Sequence, residues 1–464
     1  MSFREFVIIN KAIIFSGTFT IVQRLFGLVA GLVAIILLAR SLGPTDFGLY
    51  SIIISGSMLA SIAAQFGLPN FLLREIASST GQSYASAVMA WGNRLWLKAV
   101  IYFAMPLWLL VTAGMWIFQV TDLRSLLIQT SIFFVIAITG ARMEIVCEAL
   151  KGLGIVALGS FPSMVIKPGG LLIAIVILLR MGDLTLCTAM LAYLASNLIS
   201  LAVSGLTLAK FGLFLPGIFK RTPEDERKMI LQRQHHYYRS MLQFALMSFS
   251  HRAIGQIGIQ VLGMLGMPEQ AGLFRFAMQL NIGAEIAVQT VNSFSSSRLA
   301  QSFSLKNIEQ FSRVVGASAW VMTILVGGYI GVLWLLGGPV IDFLIGSEYS
   351  GALPVAFVLA LGTFVASLFG SSYVCLIMAG QERMTGRILV GALMLSILMT
   401  FFFARYWDAF GAAVAHATII AFIAAASALI ATKTIGVRSD IFSHLALPFR
   451  SGLFRRLRSE RGGD

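Results

Sequence analysis

The apolar positions of this chain fall in long, nearly continuous runs rather than in an alternating pattern. A helix needs about 20 largely apolar residues to cross a bilayer. On that measure twelve spans are expected, at 12–39, 47–68, 91–118, 126–150, 155–180, 184–209, 241–265, 272–298, 314–337, 351–379, 388–404 and 409–431. Strands of a membrane barrel would be roughly 10 residues long and would alternate in polarity; these runs are longer. The fold class is therefore all-α integral membrane, because a helix satisfies its own backbone groups in lipid. The eleventh run is short, and the stretch 338–350, "GPVIDFLIGSEYS", is expected to dip toward the interface.

The breaks between runs repeat. "LARSLGPTDFGLY" (38–50) and "LGMPEQAGLF" (265–274) share the order Leu-Gly, Pro, an acid, Gly, Leu and an aromatic. Each follows a similar tetrapeptide, "RLFG" (Arg24–Gly27) in the first run and "RAIG" (Arg252–Gly255) in the seventh. Pro44 and Gly48 permit a tight turn. Asp46 is placed to cap a helix beginning near Phe47, and Arg40 to complement the dipole of the first helix. The polar stretch containing "KRTPEDERK" divides the chain into two sets of six runs. The expected organisation is an N-terminal six-helix bundle (1–210), a linker (211–240), a C-terminal six-helix bundle (241–432) and a basic tail (433–464). Two halves of the same orientation, related by an axis along the membrane normal, are a common way to build alternating access.

Composition agrees. The chain is 58% hydrophobic and 12% charged, with mean hydropathy +0.86, where a soluble protein carries about 25% charged residues. Lysine and arginine orient the spans. With a cytoplasmic N-terminus, inside segments carry 25 of the 34 and outside segments four, Arg40, Arg124, Arg180 and Arg405. Both termini are thus expected in the cytoplasm. The net charge of +14 comes from these inside loops and does not indicate nucleic acid. The tail "LPFRSGLFRRLRSERGGD" either lies on anionic lipid headgroups or serves as a disordered topology determinant. The first run is too long for a signal-peptide core and is expected to stay. Cys147, Cys187 and Cys375 read as buried packing residues, with no disulfide framework.

Three motifs carry a family resemblance. "LARSLGPTDFGLYSI…QFGLPNFLLREIA" (38–77) resembles the signature of bacterial lipid-linked oligosaccharide flippases, the Wzx-type polysaccharide biosynthesis proteins. "FLIGSEYSGALPVAFVLAL" (343–361) and "AFGAAVAHATII" (409–420) resemble two later, less specific motifs. That family belongs to the multidrug/oligosaccharidyl-lipid/polysaccharide exporter superfamily. The resemblance implies a MATE-like V-shaped fold of two six-helix bundles in the bacterial inner membrane. It implies an undecaprenyl-diphosphate-linked oligosaccharide as substrate, moved to the outer leaflet for O-antigen, capsule or exopolysaccharide synthesis. Polysaccharide polymerase and chain-length machinery are the implied partners, beside membrane lipids. The alternative within the same fold is an ion-coupled multidrug/toxin extruder.

Ionisable residues inside the spans carry the candidate chemistry, because each costs about 2.5 kcal/mol or more at the bilayer centre and faces a cavity or a partner by default. Arg24, Lys167 and Arg252 lie deep, and Arg142 about two turns from the end of the fourth span. A diphosphate crossing the membrane needs such counter-charges, whereas an extruder of cationic drugs would want acids. The competing reading is pairing within the protein. Arg252 could neutralise Glu285, and Arg142 could snorkel to the interface. In "VIKPGG", Pro168 with Gly169 and Gly170 forms either a hinge or a static packing kink beside Lys167. Glu144, Glu148, Glu285 and His251 are the candidates for ion coupling, and His416 is a second intramembrane histidine, each histidine reading first as a packing residue. No H-E-x-x-H, no phosphate-binding G-x-x-x-x-G-K-[ST] and no Cys/His cluster occurs. An enzyme, a metal and a cofactor are therefore not expected.

Overall fold

The computed structural model describes residues 3–78, 82–106, 108–109, 123–210, 224–305, 307–344, 346–441 and 443. Among these residues there is no strand. The chain forms α1 (Phe3–Gln65), α2 (Leu68–Ala77), α3 (Gln82–Ala99), α4 (Leu123–Gly152), α5 (Val156–Phe161), α6 (Lys167–Met181) and α7 (Leu186–Lys210). It continues as α8 (Glu224–Met264), α9 (Pro268–Ser304), α10 (Ile308–Leu344), α11 (Ala352–Ser367), α12 (Ser372–Met378) and α13 (Glu382–Ile435). Six described helices or joined helix pairs are long and apolar enough to cross a membrane, seven if the bent pair α11–α12 is one span.

The expected spans map onto these helices, two of them at a time in the longest. α1 is broken at Gly43 (φ 74, ψ 171), and α13 at Trp407 and Asp408. Each therefore holds two of the expected spans, and the short eleventh one extends back to Glu382. The third span falls partly on 107 and 110–118, outside the described residues. α8 and α9 are long, but they are not among the six spanning candidates. α10 runs through Pro339 to Leu344, so the first part of the stretch 338–350 is helix.

Both copies of the turn carry a glycine at positive φ, Gly43 (φ 74, ψ 171) and Gly266 (φ 74), where a Cβ would be strained. A helix starts shortly after each, at Pro44 and Pro268, where a missing N–H costs nothing. Because the second helix begins at Pro44 rather than near Phe47, Asp46 sits in its first turn instead of at the cap. There its carboxylate still complements the helix dipole. The aromatics ending the two motifs, Tyr50 and Phe274, are both buried.

The chain divides into two compact units, Met1–Arg252 and Ala253–Asp464, so α8 contributes to both. In the first, α4 packs on α1, α2 and α7, and α6 packs on α1 and α7. The signature "QFGLPNFLLREIA" there has a packing role. Phe66 (φ 47) and Gly67 (φ 73) turn the chain from α1 into α2. A Cβ on Gly67 would stand 2.3 Å from the Met241 carbonyl oxygen, so α2 and α8 touch backbone to backbone. Asn70 donates to Ser248 (2.8 Å) and Arg74 to Ser240 (2.9 Å), with the Arg74 guanidinium 5.2 Å from the Phe244 ring. The hydroxyls of Tyr84 and Tyr237 are 2.8 Å apart, and Tyr84 donates to Glu75 (3.2 Å). Burial and then the Tyr237 hydroxyl push the Tyr84 phenol above the usual tyrosine range, which keeps it a neutral donor. Phe71, Leu72, Val88, Met89, Ile145 and Met241 form the core beneath.

In the second unit α11 packs on α13, α9 and α10. The expected tenth span is two helices, α11 and α12, bent by 50°. Gly370 (φ 58) makes the bend, and the carbonyl of Leu368 accepts from the N–H of Ile441 (2.8 Å). The segment after α13 thus caps the broken span, with Val437, Ser439 and Ile441 buried against the unit.

Candidate functional site

The two motifs singled out around deep cations in the first unit, "RLFG" and "VIKPGG", pack on each other. Pro162 and Pro168 lack the N–H that would complete a regular helix. Between α5 and α6 the backbone responds with one π-helical turn, Pro162–Ile166, closed by the N–H of Lys167 bonding to the Pro162 carbonyl. Ser200 donates to that same carbonyl (2.6 Å), and Gln23 to the carbonyl of Ala157 (3.1 Å). The carbonyl of Met164, four residues before Pro168, faces Gly27: a Cβ at Gly27 would stand 2.2 Å from its oxygen. The Phe26 ring covers Gly169. The irregular turn therefore lies just before Pro168, while Gly169 and Gly170 continue as helix. π turns of this kind recur at functional positions in helices.

Lys167 opens α6 and is half-buried. Its ammonium nitrogen lies 4.9 Å from the centre of the Tyr193 ring, on α7. Arg142 on α4 is also half-buried. Its Nη1 donates to the Asn93 amide oxygen (2.6 Å), and its guanidinium lies 5.3 Å from the Trp96 ring, both on α3. Within the first unit, and among the described residues, neither cation has a carboxylate at ion-pair distance. Arg24 is exposed, one helical face away from the buried Gln23, and also lacks such a carboxylate there. Arg252 and its neighbour His251 are exposed on α8.

The acids are distributed differently. Glu148 is ion-paired with Lys151 (2.6 Å), and Glu144 is half-buried one turn earlier. Cys147 is within electrostatic range of Glu144, Lys151, Glu148 and Lys167, which brings Lys167 to the charged end of α4. In the second unit Glu285 is half-buried and hydrogen-bonded by Asn281, one turn earlier on α9. His416 hydrogen-bonds the backbone of Ile254. Cys147 and Cys375 are buried, but Cys187 is exposed in the first turn of α7, where the apolar run had suggested burial. Among the described residues no three His, Cys, Asp or Glu side chains group as metal ligands.

Asn93, Trp96 and Tyr193 were not singled out from the sequence. The available signal was polar or aromatic residues at helical spacing inside apolar runs, Asn93 with Trp96, and Tyr193 with Ser196, Asn197, Ser200 and Ser204. Most of these are buried. The side-chain oxygens of Gln23 and Asn197 are buried without a hydrogen-bond partner, a rare situation for acceptors in a finished core.

A family model described as "Polysaccharide biosynthesis protein" matches residues 11–296. No curated protein sequence matches the chain significantly. An inward-facing multidrug resistance MATE family transporter of the MOP superfamily is similar in structure, with TM-score 0.68 and 12% identity, over 90% of this chain and 98% of that one. The lipid II flippase MurJ, in an inward closed conformation, gives TM-score 0.67 and 11% identity over 89% and 87%. A MOP superfamily transporter from Pyrococcus furiosus, described by a binding pocket of reverse polarity, gives 0.52 and 14% over 90% and 95%. At these identities the likeness shows a MATE-like fold, and function has to be argued from the site.

Proposed function

Since the chain belongs to the polysaccharide biosynthesis protein family, a family of membrane transporters and flippases rather than enzymes, we propose that it is a flippase for lipid-linked oligosaccharides. Its substrate is an undecaprenyl-diphosphate-linked repeat unit, carried from the cytoplasmic to the outer leaflet of the bacterial inner membrane by alternating access. The observation that carries this reading is the sign of the charge inside the apolar spans. Arg24, Arg142 and Lys167 have no carboxylate at ion-pair distance within their unit, among the described residues. Cations left without counter-ions in a membrane are costly, and an anionic ligand offsets that cost. Arginine forks and a lysine ammonium suit a diphosphate, and Arg252 is assigned to the same substrate. The bias of lysine and arginine toward inside loops supports cytoplasmic termini. For a coupling ion the candidates are Glu144, Glu148, Glu285 and His251, Glu148 being ion-paired with Lys151.

Deletion and complementation test this. Loss of the protein should remove a surface polysaccharide and leave drug sensitivity unchanged. Lys167→Ala and Arg24→Ala, at normal membrane levels, should restore less than about a tenth of the polysaccharide, because each removes a counter-charge for the diphosphate. Broad drug hypersensitivity with normal surface polysaccharide would instead identify a multidrug extruder.

A further inference from the structure

Two of the spanning cations are held in place by groups that carry no charge. Tyr193, 5% exposed, presents its ring to the Lys167 ammonium at 4.9 Å. Asn93, 3% exposed, accepts from Arg142 at 2.6 Å while Trp96 lies under the guanidinium. A carboxylate would hold either cation at least as firmly, but it would also cancel the charge. An amide oxygen and an aromatic face attract a cation without cancelling it. Acids lie in the neighbourhood of Lys167: Glu144 and Glu148 both act electrostatically on Cys147, as Lys167 does. Even so, the acid that is engaged, Glu148, pairs with Lys151 and leaves Lys167 to Tyr193.

Resting on the diphosphate reading above, we propose that Asn93, Trp96 and Tyr193 are positioning residues that fix the Arg142 guanidinium and the Lys167 ammonium while keeping both positive charges available to the lipid diphosphate. Their neutrality matters as much as their contact. Asn93 can be made negative with almost no change of shape, and Tyr193 can lose its hydroxyl while keeping its ring. These two changes separate holding a cation from neutralising it.

The test uses the purified full-length protein and undecaprenyl diphosphate as probe, with its dissociation constant measured in lipid–detergent micelles. Asn93→Asp puts a carboxylate where the amide oxygen now meets Arg142. Binding should weaken at least about tenfold while thermal stability is unchanged or higher; a purely structural asparagine predicts unchanged binding in that variant. Tyr193→Phe keeps the ring and should bind within about twofold of the parent, whereas Tyr193→Leu should weaken binding about fivefold or more. Where the leucine variant is not inserted, Tyr193→Met replaces it. Unchanged binding in Asn93→Asp, or equal binding in Tyr193→Leu and Tyr193→Phe, overturns the proposal. Arg142→Ala and Lys167→Ala separate the two levels. If they bind like the parent, the diphosphate reading fails and positioning fails with it; if they weaken binding while Asn93→Asp and Tyr193→Leu do not, positioning alone fails.

Discussion

At the scale of the residue, the first unit turns on a few places where a single atom decides what fits. Gly27 and Gly31 lie one turn apart on α1 and differ completely. A Cβ at Gly27 would meet the Met164 backbone oxygen at 2.2 Å, whereas one at Gly31 would meet nothing within 4 Å. A backbone carbonyl cannot rotate away as a side chain does, so Gly27→Ala must push α1 off the π turn. Overpacking of this kind costs about 1–3 kcal/mol. Gly31→Ala should leave stability within about 0.5 kcal/mol, as substitutions clear of packing usually do. The check is the melting temperature of each variant in detergent: lowered for Gly27→Ala, unchanged for Gly31→Ala. Equal melting temperatures would contradict the close approach of "RLFG" and "VIKPGG". The sequence made both motifs visible, because a cation beside Gly or Pro is conspicuous in an apolar run. It could not show that they touch, since that depends on which helix faces meet. For the same reason the partners of Arg142 and Lys167 were not legible, although the cations were.

At the scale of the element, the helices followed from hydropathy, and most of their irregularities did not. Gly-Pro at 43–44 announced a break because both residues oppose a helix there. The 50° bend between α11 and α12 has no proline at it, and its signal, "FGSS" (369–372), is modest. What sustains the bend lies far away in sequence: Ile441 satisfies the Leu368 carbonyl, and Val437 packs with Phe311, Val315 and Cys375. Burying Val437 and Ile441 is worth roughly 3–6 kcal/mol together at 1.5–3 kcal/mol per side chain. A chain truncated after Gly436 should therefore melt well below one truncated after Ser443. A chain ending at Gly436 that melts like the full-length protein would show that the segment does not cap the bend. The signature "QFGLPNFLLREIA" makes the complementary point. It was legible as a family mark, but its work, fastening α2 to the middle of α8 through Gly67, Asn70 and Arg74, required the structure.

At the scale of the whole molecule, the all-α membrane architecture was readable because a bilayer imposes length and polarity on every segment that crosses it. The internal repeat was readable because the same Gly/Pro turn motif occurs twice, each copy with a glycine at φ 74. The sugar was not readable, because polar contacts to a glycan come from scattered serines, amides and aromatics without a motif. Above all, the proposed function requires that the protein move a diphosphate-linked lipid between leaflets by means of its spanning cations. The most direct measurement is the leaflet distribution of lipid-linked oligosaccharide in spheroplasts, read with a membrane-impermeant lectin and by mass spectrometry of the total pool. In cells lacking the protein the total pool should rise while its accessible fraction falls at least about tenfold. The parent protein should restore that fraction, and Lys167→Ala at the same membrane level should not. An accessible fraction that is the same with and without the protein would contradict the account.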